Sequence, residues 1–292
     1  MDSYDNSAVL MMTERCNSNC IMCPMSIDAR RKGRDITDRD LDSLLDNIED
    51  DVRHIDITGG EPFLKWEQVL HAMDVINTRW PDVPVLVLTN GRALSLPFLQ
   101  EAIHPRITEH YQFAIPLHGP DAVVHDHITQ TEGSFQQTLD ALRFLAQTEA
   151  RIEIRIVGHR ENVQWINKTC EMIVDQGIRA DVVNLIAMEM NGRAAYNRDR
   201  LWIDYDQLYQ RSEKGLLHLI AHAIDVGLYD FPLCALPRHA WPLAKHSISL
   251  EKIRYPDACD ACAEKKACGG LFKSTYLLGL CPVHPYNKEN DQ

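Results

Sequence analysis

Three cysteines within eight residues constrain the fold of this chain more than any other feature. They are Cys16, Cys20 and Cys23, in the pattern C-x3-C-x2-C, and they follow an apolar run at residues 8–12 that predicts a buried parallel strand. Three thiolates can bind three irons of a [4Fe–4S] cluster and leave the fourth iron open to a small ligand. The spacing therefore predicts an iron–sulfur site at the end of the first strand, with a half zinc site or free surface thiols as the alternative.

The composition argues against several classes of protein. Hydrophobic residues make up 45% of the 292 residues and charged residues 25%, as in ordinary globular proteins, and no apolar run reaches the roughly 18 residues that a membrane span needs. No secretory signal is visible, so we expect a cytoplasmic protein. The net charge of −12 argues against nucleic-acid binding, which relies on clustered Lys and Arg. The charged segment Arg30 to Asp35 is expected to form a solvated loop.

Apolar runs alternate with helical patterns over the first 226 residues. Thr37 with Asp40, and Ser134 with Gln137, predict capping boxes that open two helices, and a polar loop is expected between Pro120 and Ser134. Strands that alternate with helices imply a parallel sheet with right-handed crossovers, either an open doubly wound sheet or a partly closed barrel. The six predicted strands are residues 8–12, 54–58, 83–89, 111–117, 151–157 and 181–187.

The character of the chain changes after a helix predicted at residues 205–226. Prolines interrupt the sequence and five cysteines fall within 48 residues, so we place a domain boundary near residue 227, between residues 1–226 and residues 227–292. Nine cysteines in a chain without a visible secretory signal suit metal ligation better than disulfides. The cysteines of the second domain are Cys234, Cys259, Cys262, Cys268 and Cys281.

The segment Thr58-Gly59-Gly60-Glu61-Pro62 follows the cysteine motif. In this order, the two motifs together resemble the radical S-adenosylmethionine (SAM) enzymes. The resemblance implies a partial (β/α)6 barrel in which the three cysteines hold a [4Fe–4S] cluster whose open iron binds SAM. A side chain at Gly60 would then enter the space of the SAM methionine, although a simple turn is the alternative here and at Thr89-Asn90-Gly91. The SAM contacts that the resemblance implies are Gly59, Gly60, Glu61, Thr89, Asn90, Arg155 and Gly158.

The fifth predicted strand departs from the family pattern. Ile156, Gly158 and Glu161 match part of a G-x-I-x-G-x-x-E pattern that the family places beside the adenine, but Ile154 replaces the first glycine. Arg155 could face the barrel and meet the SAM carboxylate or ribose, or it could be an exposed surface arginine. The contacts of this strand are therefore expected from the resemblance alone.

The tail resembles the auxiliary-cluster region, called SPASM or twitch, of peptide-modifying radical SAM enzymes. Its C-x2-C-x5-C spacing matches, whereas Phe272 stands where the full pattern has a further cysteine. The resemblance therefore implies one auxiliary [4Fe–4S] cluster rather than two, with a structural zinc as the alternative because zinc accepts the same ligands. The expected ligands are Cys259, Cys262, Cys268 and Cys281, with Cys234 as a reserve or substitute.

Several further segments resemble the His-Xaa-Ser system radical SAM maturases called HxsC. They are HD-x-I-T at residues 125–129 with the following Gly133-Ser134-Phe135, residues 188–194 and residues 268–272. The resemblance implies a ribosomally made precursor peptide with His-Xaa-Ser repeats as substrate, a partner radical SAM maturase and an external one-electron reductant. Because the cofactors carry the chemistry, no catalytic residue is expected beyond the cluster and SAM.

Two other functions fit the same motifs. The chain could mature a different peptide or protein, as a sulfatase-type maturase does. It could also be a scaffold that binds clusters or zinc without cleaving SAM.

Overall fold

The computed structural model describes residues 6–246 and 250–286. Its centre is an eight-stranded sheet whose strands follow one another in sequence order, each parallel to its neighbours. In the described part of the chain the first and last strands do not pair, so the sheet is open along one side. The predicted parallel α/β fold is therefore confirmed. The strands are β1 (Ser7–Met11), β2 (His54–Thr58), β3 (Val85–Leu88), β4 (Tyr111–Pro116), β5 (Arg151–Gly158), β6 (Val182–Ala187), β7 (Asp225–Tyr229) and β8 (Ala244–Lys245).

Helices connect most successive strands, and a short antiparallel pair, β9 (Ile253–Arg254) and β10 (Leu271–Phe272), lies in the tail. Across residues 6–246 and 250–286, no helix has both the length and the apolar character needed to cross a membrane. The helices are α1 (Ile27–Lys32), α2 (Asp38–Asp46), α3 (Trp66–Arg79), α4 (Pro97–Ile103), α5 (Ala122–Thr129), α6 (Ser134–Leu145), α7 (Ile166–Asp175), α8 (Gly192–Tyr196), α9 (Arg198–Leu201), α10 (Tyr205–Ala221) and α11 (Lys273–Leu277).

The two faces of the sheet differ in polarity because successive strand residues point to opposite sides. On β2, Ile55 and Ile57 are fully buried and join the apolar core that includes Leu41 of α2 and Met73 of α3. The opposite face carries polar residues on neighbouring strands, such as Glu153 of β5. This alternation leaves the polar face and the carboxyl ends of the strands for ligands, which is where parallel α/β sheets bind them.

The region before α6 differs from the prediction. Thr37 does cap α2, since its Oγ1 accepts from Asp40 N at 3.1 Å. The prediction that Ser134 caps α6 is wrong, because Ser134 is the first helical residue and Gly133 (φ +76°) is the N-cap. The expected polar loop before it instead contains α5, whose N-cap Asp121 accepts from Val124 N at 3.0 Å.

The carboxylate of Asp126 in α5 takes over the capping of α6. It accepts from Gly133 N, Ser134 Oγ and Phe135 N, each at 2.7 Å. Burial alone would raise the pKa of Asp126, but these hydrogen bonds outweigh it and lower the pKa below its ordinary value of 3.8. A negative charge at a helix N-terminus also complements the helix dipole. Asp126 therefore couples α5 to α6.

Replacing Asp126 by Asn should lower the stability of the fold by about 1 kcal/mol at neutral pH, as loss of a helix cap usually does. Because the pKa of Asp126 is lowered on folding, its contribution is present above its ordinary pKa and is lost as pH falls through the lowered value. The difference between the parent and the variant in denaturant unfolding should therefore shrink in acid. Asp140→Asn, on the exposed side of α6, is the matched control and should change little. Equal unfolding midpoints for parent and Asp126→Asn at pH 7 would contradict this role.

The sheet continues beyond the predicted domain boundary. The helix expected to reach residue 226 ends at Ala221, and Val226 and Leu228 are instead buried positions of β7. A side chain on Gly227 would lie 2.3 Å from Asn184 Oδ1 of β6, so the two strands approach closely there. The division into residues 1–226 and 227–292 stays a prediction, while β7 and β8 extend the sheet across it.

Candidate functional site

A loop between β1 and α1 carries the three predicted cluster ligands at the carboxyl end of β1. Cys16, Cys20 and Cys23 are half-buried free thiols. Burial, together with the nearby thiols of Cys23 and Cys16, raises the pKa of Cys20 to about 12. Since each thiol is near enough to affect the ionisation of another, the structure brings the three predicted ligands together. We call residues 13–25 the cluster loop.

The turn after β2 holds the backbone of the cluster loop. Gly60 N donates to Thr13 O at 2.7 Å, and Glu61 N donates to Arg15 O at 2.8 Å. A Cβ atom at Gly60 would lie 2.2 Å from Arg15 O, and one at Gly59 (φ +153°) would lie 2.4 Å from Thr13 O. A side chain at Gly60 would therefore first collide with the cluster loop, and its expected entry into ligand space stays a prediction.

Glu61 is a buried carboxylate that joins the ends of β2 and β3. It has no exposed surface, and it accepts from Thr89 Oγ1 at 2.6 Å and from Asn90 N at 2.7 Å. Burial raises the pKa of Glu61, although these hydrogen bonds oppose the shift. The Nδ2 atom of Asn90 in turn donates to Asn17 Oδ1 at 2.7 Å and lies 3.8 Å from Cys16 Sγ. Five of the predicted SAM contacts thus form one connected group against the cluster loop.

A second loop-binding element is α5, which sequence analysis missed. The carbonyl oxygens of Thr129 and Ile128 accept from Asn19 N and Ile21 N, each at 2.9 Å. Ile21 and its neighbour Met22 are buried in an apolar cluster that also contains Ile128. The cluster loop is therefore held from β2 and β3 on one side and from α5 on another.

The cation Arg30 lies buried beside the cluster loop. The expectation of a solvated loop is wrong for Arg30, because this residue belongs to α1 and only 6% of it is exposed. Its Nη2 donates to Asn19 Oδ1 at 2.7 Å, whereas its Nε and Nη1 are buried without a partner among the described residues. A buried charge is costly unless an opposite charge is near. An iron–sulfur cluster on three thiolates would supply negative charge, so the residues present fit the predicted group.

Arg193 of α8 is a second cation at the same loop. Its backbone N donates to Cys23 O at 2.9 Å, and its Nη1 donates to Asn19 O at 2.6 Å. Burial and the neighbouring charge of Arg30 lower the pKa of Arg193. A sequence signal existed, since Arg193 follows β6 and so lies at the ligand-binding end of the sheet.

The predicted contacts on β5 have protein partners of their own. Arg155 Nε donates to Glu153 Oε1 at 2.5 Å, and the Glu153 carboxylate also accepts from Gln112 Nε2 at 2.6 Å. A Cβ atom at Gly158 would lie 2.5 Å from Leu208 Cδ1, so this glycine faces α10. The roles of Arg155 and Gly158 toward SAM stay predictions. Glu161 is likewise paired, with His127 Nε2 at 2.9 Å and with an arginine of α9.

Four tail cysteines surround one cavity. Its lining includes Cys234, Cys259, Cys262 and Cys268, whereas Cys281 lies elsewhere. No group of three or more Cys, His, Asp or Glu side chains in residues 6–246 and 250–286 is arranged to hold a metal ion. In an iron–sulfur cube each thiolate binds a different iron, so the thiols stand further apart than the four ligands of a tetrahedral zinc. The four-thiol lining of the tail cavity offers one ligand for each iron of such a cube.

The match to known families covers the cluster loop and the strands that follow it. The sequence profile of the Radical SAM superfamily matches residues 10–173, which is more than half of the chain. The chain belongs to the radical SAM superfamily. The matched residues include the cysteine motif and all the predicted SAM contacts, and they end before the tail. The four-cysteine cavity therefore lies outside the part that the family match covers.

Three radical SAM relatives illustrate the range of this similarity. An AdoMet-dependent heme synthase of Methanosarcina barkeri is 22% identical over 218 residues, which is 72% of this chain and 59% of the relative. The PqqA peptide cyclase of Bradyrhizobium diazoefficiens is 23% identical over 206 residues, which is 69% of this chain and 51% of the relative. The crystal structure of Streptococcus suis SuiB bound to its precursor peptide SuiA has the same fold, with a TM-score of 0.60 at 13% identity over 77% of this chain and 48% of that one. The chain spans about half to three fifths of the length of these proteins.

Proposed function

We propose that this protein is a radical SAM maturase that modifies a ribosomally made peptide. The observation that carries the proposal is the convergence of three half-buried thiols with the Gly59-Gly60-Glu61 and Thr89-Asn90 turns, beside the unpartnered cation Arg30. When bound, the [4Fe–4S] cluster and SAM supply a 5′-deoxyadenosyl radical that abstracts hydrogen from the substrate. The chain itself binds, orients and shields these groups.

Each part of the site has a distinct task in this proposal. Cys16, Cys20 and Cys23 hold the cluster and leave one iron for SAM. Arg30 offsets the negative charge of the cluster from within a buried site, where charges interact strongly. The turns after β2 and β3 hold the cluster loop through hydrogen bonds from Gly60 N, Glu61 N and Asn90 Nδ2. SAM would therefore bind next to a backbone that is already fixed in position.

A peptide substrate is supported by the similarity of this chain to the PqqA peptide cyclase and by the precursor peptide bound to SuiB. The resemblance of residues 125–135 to HxsC extends the proposal to a precursor with His-Xaa-Ser repeats. With this substrate we propose a partner radical SAM maturase, an external one-electron reductant, a cytoplasmic location and one auxiliary cluster in the tail.

The test is cleavage of SAM after anaerobic reconstitution with iron and sulfide. With dithionite as reductant, 5′-deoxyadenosine should form. A synthetic peptide with His-Xaa-Ser repeats should raise the yield of 5′-deoxyadenosine, and the mass of the peptide itself should change. Omitting dithionite should abolish both products. A reconstituted protein that forms no 5′-deoxyadenosine would overturn the enzymatic proposal in favour of a metal-binding scaffold. If 5′-deoxyadenosine forms while the peptide stays unchanged and has no effect, the His-Xaa-Ser substrate is wrong and SAM cleavage stands.

A further inference from the structure

The lining of the four-cysteine cavity in the tail indicates which thiols lie close enough to bind one cluster. Building on the proposed function, we infer that the auxiliary cluster is bound by Cys234, Cys259, Cys262 and Cys268, and that Cys281 is not a ligand. The sequence pattern favoured Cys281 as the fourth ligand and kept Cys234 in reserve. The structure reverses that order.

The position of the thiols carries the first part of the argument. Cys234 lies in a single helical turn at residues 233–235, separated from the end of β7 by residues 230–232. It lines the same cavity as the three cysteines of the C-x2-C-x5-C triad. Cys281 packs instead against the apolar core around the sheet and does not line the cavity. A fourth ligand must reach the same cube as the triad, and among these two cysteines only Cys234 does.

Hydrogen bonds to the sulfur atoms carry the second part. Cys268 Sγ accepts from Leu233 N and from Gly270 N, each at 3.4 Å, and Cys234 Sγ accepts from His284 N at 3.3 Å. Backbone N–H groups directed at sulfur stabilise an anionic thiolate ligand and tune the potential of its cluster. Cys281 Sγ has a different partner, because it donates to the carbonyl oxygen of Tyr276 at 3.8 Å.

Two consequences follow for the tail. Four thiolates would occupy all four irons, so this cluster would have no open iron for substrate and would serve to relay electrons or to brace the fold. Cys234 would also bind the tail to the sheet, since its neighbours Leu233 and Ala235 are buried. The cluster would thus join residues 259–268 of the tail to the segment that follows β7.

Single cysteine variants test this ligand set in a background that isolates the tail. In a Cys16/Cys20/Cys23→Ala chain, only the tail should hold iron, about four atoms per chain after anaerobic reconstitution. Adding Cys281→Ala should leave that iron and its Mössbauer spectrum unchanged. Adding Cys234→Ala should reduce the iron at least about twofold, or give a spectrum with one distinct iron site. The metal-free thermal unfolding of both variants controls for a folding defect.

The outcomes separate this inference from the proposed function, because SAM cleavage depends on the cluster loop and is assayed in the otherwise native chain. Two outcomes would overturn the ligand set, whether or not the native chain cleaves SAM. One is a loss of iron in the Cys281→Ala variant, and the other is a Cys234→Ala variant that keeps its iron and its Mössbauer spectrum. Zinc in place of iron after anaerobic purification and reconstitution would overturn it as well. A failure of SAM cleavage with the predicted iron pattern would instead refute the proposed function and leave the tail site standing.

Discussion

A Cys16/Cys20/Cys23→Ala variant should form no 5′-deoxyadenosine above background and should keep about half of its iron. The three thiols are the only cysteines of the cluster loop, so their removal leaves no ligand for the iron that binds SAM. The parent should hold about eight irons per chain, four in each [4Fe–4S] cluster, and the variant about four in the tail. Iron and sulfide analysis, with 5′-deoxyadenosine measured by mass spectrometry, checks both numbers.

A single cysteine far from both sites provides the control. Cys170 of α7 is completely buried, and burial raises the pKa of its thiol to about 12. Such a thiol behaves as a small hydrophobic group. Cys170→Ala should therefore retain iron and SAM cleavage, with only a modest loss of stability. SAM cleavage that survives in the triple variant would place the reactive cluster elsewhere and reject the cluster loop as its site.

The parts of the structure that the sequence predicted are those that local patterns encode. The six strands from β1 to β6 follow from short apolar runs, and the cap on α2 follows from Thr37. The cysteine spacing and the order of the motifs predicted which loops meet, because the carboxyl ends of parallel strands share one edge of the sheet. The hydrogen bonds of Glu61 with Thr89 and Asn90 are such a contact, because they join the turn after β2 to the turn after β3.

The parts that the sequence did not predict depend on contacts between distant segments. Arg30 is next to two further basic residues, and only the packing of α1 against the cluster loop separates the buried arginine from its exposed neighbours. Half of the eight residues of α5 are His, Asp or Thr, which obscured its helical pattern. Its role depends on backbone carbonyls that contact the cluster loop, more than a hundred residues away in sequence. The fourth cysteine of the tail cavity is likewise distant from its triad. Spacing alone could not choose it.

Replacing Gly60 by Ala should remove the cluster of the cluster loop and SAM binding together. The added Cβ would lie 2.2 Å from Arg15 O and 2.6 Å from Glu14 O, both backbone atoms of the loop, so the loop must move. Such overpacking typically costs about 1–3 kcal/mol. It would also break the hydrogen bonds that Gly60 N and Glu61 N donate to that loop. We expect iron to fall from about eight to about four per chain, with SAM binding by calorimetry lost in parallel.

Gly177→Ala is the matched control for this prediction. Gly177 has a left-handed backbone (φ +59°), and a Cβ atom there would meet nothing within 4 Å. An alanine should therefore cost about 1–2 kcal/mol through backbone strain alone, a similar loss of stability without any contact to the site. Gly177→Ala should thus melt earlier than the parent yet keep its iron and SAM binding. If Gly60→Ala kept the full iron content and lost only SAM binding, the glycine would be making room for the ligand. In that case the loop contact would not be the reason why a side chain is excluded.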